Sequence, residues 1–186
     1  MEHGKSFNGI DFSDRKPEQT EFDDCDFVNC NFSKADLRGI EFIDCRFRDC
    51  NLSLAIANDT GIKNILFNDC KLTGVDFSKS KDFLFSAAFE SCQLDYASFH
   101  SKKIKKMNFS KCSLKHTDFT QSDLTLAVFQ DCDLTGALFV QTILEKTDFR
   151  TAVHYAFDPE VNKIKKAKFS LPDVTGLLSK YDLEID

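Results

Sequence analysis

Thiols are the groups in this chain with the widest chemical reach. There are eight cysteines: Cys25, Cys30, Cys45, Cys50, Cys70, Cys92, Cys112 and Cys132. A thiolate can act as a nucleophile, a disulfide partner or a soft metal ligand. Their spacing argues for none of these. Six of them form a series, Cys30, Cys50, Cys70, Cys92, Cys112 and Cys132, that steps by 20 residues with one step of 22. A zinc site needs Cys and His converging on a point, and a single-file ladder with no His beside it does not converge, so no metal or cofactor is expected. A disulfide scaffold of a small secreted protein has a different spacing. Reduced, buried thiols that serve packing are the expectation. The aspartates that could pair as general acid and base (Asp26, Asp36, Asp76, Asp118, Asp123, Asp133 and Asp148) recur at one position of a repeat. His100 and His116 fall at exposed positions with no nucleophile fixed beside them. No glycine-rich phosphate loop, nucleophile elbow or metalloprotease helix is present. The chain does not read as an enzyme.

The elements that must hold these residues follow from a period of five. Phe22, Phe27, Phe32, Leu37, Phe42, Phe47 and Leu52 stand five apart, and the register continues through Ala57, Ile62, Phe67 and Leu72 to Phe77. A second register runs from Phe89 to Phe149. Neither a 3.6-residue helix nor a two-residue strand has this period. A chain that turns a corner every five residues does, and four short sides close a square coil of 20 residues, stacked at roughly 4.8 Å. Phe27, Phe47 and Phe67, then Phe89, Phe109, Phe129 and Phe149, fall in one column, and every cysteine lies two residues before a central Phe or Leu. The fold class is therefore an all-β solenoid, a quadrilateral β-helix over residues 1–170. Phe7 and Phe12 start a first partial coil. A loop is expected over about 13–20, where Pro17 takes a central position. Two extra residues are expected at a corner within about 78–83, after which Leu84 would be central with Phe83 and Phe85 beside it. Ala57 leaves a shallow core.

Residues 171–186 read as a short C-terminal helical cap followed by a strand-like Asp182–Asp186. Ser170 and Asp173 resemble a capping box, and Val174, Leu177, Leu178 and Tyr181 make an apolar stripe at helical spacing. A cap over the open end is what a solenoid requires.

The repeat itself carries a resemblance. C-D-F-V-N (25–29), C-N-F-S-K (30–34), A-D-L-R-G (35–39), T-D-F-T-Q (117–121), S-D-L-T-L (122–126) and C-D-L-T-G (132–136) resemble the pentapeptide repeat proteins, over about Phe22 to Arg150. The resemblance implies a right-handed coil. D-L-R-G-I-E-F-I-D-C-R-F (36–47) and the ending L-L-S-K-Y-D-L-E-I-D are similar to the quinolone-resistance members. That implies a homodimer joined end to end through Val174, Leu177, Leu178 and Tyr181. It also implies an acidic DNA mimic that binds type II topoisomerase, DNA gyrase or topoisomerase IV, and protects it from fluoroquinolones. Those members from Gram-negative bacteria carry long projecting loops, and this sequence has only a two-residue insertion.

Charge fits this reading in part. The net charge is −6, and residues 1–60 supply all of it, with 13 acidic and 7 basic side chains. Asp23, Asp24, Asp44, Asp49, Asp59 and Asp69 follow central residues and form the candidate acidic partner-binding face. Carboxylates on a rod can compete with phosphates for a basic groove. The acid-free lysine run from Lys102 to Lys115 does not suit a pure mimic, and the coil would disperse it over several sides. The alternative is a protein-interaction or structural scaffold with an unassigned partner, whose sensitive surface would be Phe83–Phe85 or the lysines. Direct nucleic-acid binding is not expected from the acidic balance. No 18-residue apolar run spans a membrane. The start M-E-H-G-K-S-F-N-G lacks an apolar signal core, which gives a cytoplasmic expectation.

Overall fold

A computed structural model describes residues 1–184. The residue two after almost every central side chain lies in the left-handed region, as at Asp24, Asp44, Asn64, Lys106 and Gln121, with φ between 48° and 59°. This single left-handed residue turns the chain through a corner, so the coil is square and the central side chains all point inward. Each coil bonds to the next in one parallel register. Phe32 N–H donates to Asn51 C=O at 2.6 Å, and Asn51 N–H returns to Cys30 C=O at 3.0 Å.

Four faces result, numbered here in chain order from the side that carries Phe7. The first face carries Phe7, Phe27, Phe47 and their successors to Phe169. The second carries Phe12, Phe32 and a leucine column. The third carries Pro17, Leu37, Ala57, Phe77 and three further phenylalanines, and the fourth Phe22, Phe42 and Ile62, resuming at Ile104. The strands occupy two of these faces, alternating between them as far as β8 and keeping to the first face after it. On the fourth face, β1 (Glu2–His3), β3 (Glu21–Asp23), β5 (Glu41–Ile43) and β7 (Gly61–Lys63) form a four-stranded parallel sheet. On the first, β2 (Ser6–Asn8), β4 (Asp26–Val28), β6 (Arg46–Arg48), β8 (Ile65–Asn68), β9 (Ala87–Glu90), β10 (Asn108–Ser110) and β11 (Val128–Gln130) form a seven-stranded one. The other two faces are joined by single parallel bridges, such as Asn31 with Asn51 and Asp118 with Leu138.

Stacked aromatic columns fill the interior. Along the first face consecutive rings lie 4.6–5.4 Å apart and within 22° of parallel. Rings of neighbouring faces meet edge to face, as Phe27 does Phe32 at 5.4 Å. Such pairs add ~0.5–1.5 kcal/mol each beyond the area they bury. Ala57 breaks the filling: an enclosed apolar cavity of about 20 Å³ lies among Leu37, Phe42, Ala57, Ile62 and Phe77.

Three local expectations are corrected. Residues 13–20 do not loop away from the coil. Pro17 is buried in its central position, and the carbonyls of Arg15 and Thr20 accept the usual rungs from Asp36 and Glu41, both at 2.9 Å. The Lys16 ammonium donates to Arg38 C=O at 2.8 Å. Proline's fixed φ suits an extended side; its own N–H rung is lost, and the Lys16 ammonium takes the place of the Gln19 N–H rung to Arg38.

The insertion overlaps only the end of the expected 78–83. Lys81 N–H still bonds Thr60 C=O in the 20-residue register at 3.0 Å, whereas Ala87 pairs with Ile65, 22 residues back. The two extra residues therefore lie between Lys81 and Ala87. Leu84 is not central: it turns the corner with φ 58° and is 63% exposed. Phe85 folds inward against Phe77 instead, with ring centroids 6.3 Å apart.

At the C-terminus, Val174–Tyr181 is a 3-10 helix, not an α-helix. Ser170 Oγ–H donates to Asp173 Oδ2 at 3.0 Å ahead of it. Its three-residue turn rotates Val174 and Leu177 onto the coil end and leaves Leu178 and Tyr181 outside. The backbone docks so closely that a Cβ on Gly176 would stand 1.9 Å from Tyr155 C=O. Asp182–Glu184 is not a strand, and Ile185 and Asp186 of the expected strand lie outside the described residues.

Candidate interaction surfaces

The slot two residues before each central side chain points inward, and every cysteine occupies one. All eight are free and buried. Cys50 Sγ–H donates to Phe27 C=O at 3.4 Å, and Cys70 to Phe47 C=O at 3.4 Å, each to the coil before. Thr117, Thr142 and Thr147 stand in the same slot on other faces and donate to Leu94, Phe119 and Leu124 C=O at 2.8–2.9 Å. A small side chain is all the slot requires, as Ala35 and Ala127 show, and Cys and Thr add a donor to the coil before. Burial pushes the Cys30 thiol up, and the Cys45 thiol to about 12, away from the reactive thiolate. No group of three or more His, Cys, Asp or Glu among the described residues is placed to hold a metal ion.

The repeated aspartates have an equally local explanation. On the second, third and fourth faces the carboxylate before the central residue accepts the N–H two residues on: Asp118 from Thr120 at 2.8 Å, Asp123 from Thr125 at 3.1 Å, Asp133 from Thr135 at 3.0 Å. Asn31 and Asn51 do the same with Ser33 and Ser53. These are Asx turns, which set up the corner. Hydrogen bonds from Arg38 and Arg150 hold Asp36 and Asp148 at about 2, so both are fully ionised.

The six candidate acidic residues do not share one face. Asp23 is on the fourth face, where its carboxylate meets His3 Nδ1 at 2.9 Å. Asp24 and Asp44 stack on the adjoining corner between the fourth and first faces. Asp49 and Asp69 stack on the next corner, across the first face. Arg46 and Arg48 of β6 stand between the two pairs, with Arg46 3.6 Å from Asp26. Asp59 occupies the far corner of the fourth face. All except Asp23 are left-handed corner residues, and Asp is among the few types that tolerate that conformation. The set that comes together is Asp23, Asp24 and Asp44, beside Glu21 and Glu41 on β3 and β5. Glu41 is held by Lys63 at 2.8 Å and by Lys81, folding over Gly61, where any Cβ would meet its carboxylate at 1.9 Å.

The lysine run is dispersed. Lys111 lies on another corner, and Lys115 bonds Asp133 on the second face at 3.2 Å. Lys102 is the residue that the sequence reading missed. It occupies the inward slot and is 2% exposed, with its ammonium donating to Ser80 C=O at 2.6 Å and Asp82 Oδ1 at 2.7 Å. The ammonium also faces the Phe85 ring, 4.9 Å from its centroid. The signal was available: Lys102 precedes Ile104 by the same two residues that place each cysteine. Here the fourth-face ladder is interrupted, since Lys103 bridges onward to Asp123 and no bridge joins it to the insertion. Lys102 spans the gap with its side chain and holds up a knuckle on which Phe83 is 72% exposed. The candidate dimer residues divide as the cap does, Val174 and Leu177 inward, Leu178 and Tyr181 outward.

Comparison with known proteins agrees with this architecture. A model described as a pentapeptide repeat region matches residues 20–99, and one described as pentapeptide repeats (8 copies) matches 106–139, together more than half of the chain. No curated protein matches the sequence. Among solved structures, a trypsin-treated form of QnrB1, a plasmid-mediated fluoroquinolone resistance protein, is 21% identical over 100% of this chain and 99% of its own, with a TM-score of 0.46. HetL, a pentapeptide repeat protein involved in heterocyst differentiation regulation from the cyanobacterium Nostoc, is 18% identical over 91% and 84%, with a TM-score of 0.39. No helix among the described residues is long and apolar enough to cross a membrane.

Proposed function

Because the chain belongs to the pentapeptide repeat family, we propose that it acts without catalysis, as an acidic rod whose N-terminal coils imitate DNA. Its partner in this reading is a bacterial type II topoisomerase, DNA gyrase or topoisomerase IV, which it modulates or protects from fluoroquinolones. The observation that supports this is the edge formed by Asp23, Asp24 and Asp44 beside Glu21. Carboxylates on successive coils, roughly 4.8 Å apart on a stiff frame, offer a basic DNA-binding groove a fixed row of negative charge. Leu178 and Tyr181, 38% and 49% exposed on the cap, support a homodimer joined at the C-terminal ends.

The test is a gyrase supercoiling and DNA-cleavage assay, titrating the protein with and without a fluoroquinolone. Rescue of supercoiling at low protein and inhibition at high protein are expected. Asp24→Lys with Asp44→Lys should abolish both, and unchanged rescue by that variant would overturn the reading. The second reading, a protein-binding scaffold, is favoured by one observation: the exposed Phe83 and Leu84 on a knuckle fixed from beneath by Lys102. In that case Phe83→Ser with Leu84→Ser would remove partner capture while the aspartate variant would not.

A further inference from the structure

We infer that the C-terminal half carries a second, oppositely charged site: a lysine edge that binds the phosphate backbone of duplex nucleic acid. The corner between the fourth and first faces, which holds Asp24 and Asp44 early in the chain, holds Lys106, Lys146 and Lys166 later, all exposed. The 20-residue coil brings together residues 40 and 60 positions apart, so the edge is invisible in the local lysine run. Lys103, Lys163 and Lys165 flank it on the fourth face, also exposed. None of these six ammonium groups has an ion pair among the described residues. Of the acids on the same stretch of the fourth face, Asp123 is engaged by Lys105 at 3.2 Å, and only Glu145 lacks a partner.

The backbone conformation of this corner does not itself call for lysine. Lys106, Lys146 and Lys166 are all left-handed, with φ of 59–60°. Asp, Asn and Gly are the types at ease there, and on this same corner the earlier coils use Gly4, Asp24, Asp44 and Asn64. Backbone comfort therefore does not account for lysine at these corners. The chemistry of the edge selects its ligand. Lysines are point charges without the forked geometry that reads a base or a carboxylate, so binding would be independent of sequence. Leu126, between Lys106 and Lys146, is the one exposed large apolar residue in the row. That leaves a folded acidic protein no apolar core to pack against, whereas a polyanion needs only counterion release. No aromatic side chain stands on the edge to stack unpaired bases, which favours a duplex over a single strand. The edge spans three coil steps, roughly 14 Å at the usual inter-strand spacing, enough for about three or four phosphates.

The experiment is fluorescence anisotropy of a labelled duplex of about 20 base pairs with the full chain alone, from about 50 to 200 mM salt. Because no topoisomerase is present, its outcome is separate from that of the proposed function. Binding at the low-salt end is expected, with a log–log salt slope of about −3 to −4. Lys106→Glu with Lys146→Glu and Lys166→Glu should weaken it at least about ten-fold and flatten the slope by about three. Lys115→Glu, on the second face, should bind as the parent does. A melting curve for each variant establishes that the coil is intact. Absence of binding at low salt, equal binding by the triple variant, or tighter binding of labelled polyglutamate than of duplex would each overturn the inference.

Discussion

Up to Gly74, 12 of the 14 left-handed corner positions hold Asp, Asn or Gly, whereas from Leu84 to Lys166 only 2 of 15 do. The two halves differ in other ways as well. The four-stranded sheet on the fourth face ends at β7, just before the insertion, while the first-face sheet continues through it. The −6 charge belongs to residues 1–60, and the remainder is neutral. The earlier half also contains the cavity beside Ala57, while the later columns are filled by Phe, Leu and Ile. The early coils have favourable corners and an imperfect core, and the late coils have a full core and unfavourable corners. The acidity of the first half is thus partly a by-product of corner geometry, since the residues that turn the chain most easily include Asp.

The largest expected effect that tests this contrast is in the core. Ala57→Leu should fill the early cavity and raise stability by ~0.5–2 kcal/mol. Leu124→Phe, in the filled late half, should lower it by ~1–3 kcal/mol. Urea denaturation of both would separate them, and a loss in both would mean that the cavity cannot accept a side chain. Next come the corners. Leu126, at φ 64°, bears the left-handed penalty of ~1–2 kcal/mol, offset in Leu126→Gly by the ~0.5–1 kcal/mol that glycine loses on ordering. That variant should gain about 0.5–1 kcal/mol, while Asp44→Gly should change stability by less than ~0.5 kcal/mol. Equal gains at both would erase the distinction between halves.

The smallest effect is on pH. Asp36 in the early half and Asp148 in the late half are both lowered to about 2 by hydrogen bonds from their arginines. A depressed folded pKa stabilises above the unfolded carboxylate value and is lost as pH falls through the folded one. Stability should therefore hold to about pH 4 and decline toward pH 2. Arg38→Met or Arg150→Met should each reduce the decline to a similar extent. A decline seen only with one arginine would show that the halves unfold separately in acid.

The square coil was legible because its signal is repeated at nearly every side: one large central residue in five, at the same phase, read as Phe27, Phe47 and Phe67. Ala57 was legible for the same reason, as the exception to that phase. Single-copy features were not. Pro17 suggested a loop because proline usually breaks a ladder, but an extended side already matches its φ. Leu84 was taken as central because Phe83, Leu84 and Phe85 are all apolar, and periodicity cannot tell which one faces inward. The acidic set scattered because the sequence positions after central residues fall on four different corners. Lys102 went unnoticed among its neighbouring lysines because it was grouped by composition, although its phase marked it as internal. The lysine edge required the stacked coil itself, which alone brings Lys106, Lys146 and Lys166 into line.

The break in the fourth-face ladder has a mechanical meaning. The inter-coil hydrogen bonds run along the rod, so tension between its ends falls on every level in series. Backbone rungs on four sides share the tension at most other levels, except near the C-terminal end, where the Asn162 side chain stands in for the third-face rungs after Phe139. Between the insertion and Lys103, one side is held by the Lys102 ammonium on Ser80 and Asp82. The rod therefore has a notch at mid-length, closed by a single side chain. In a force-extension trace, the first rip should occur at one of these two levels.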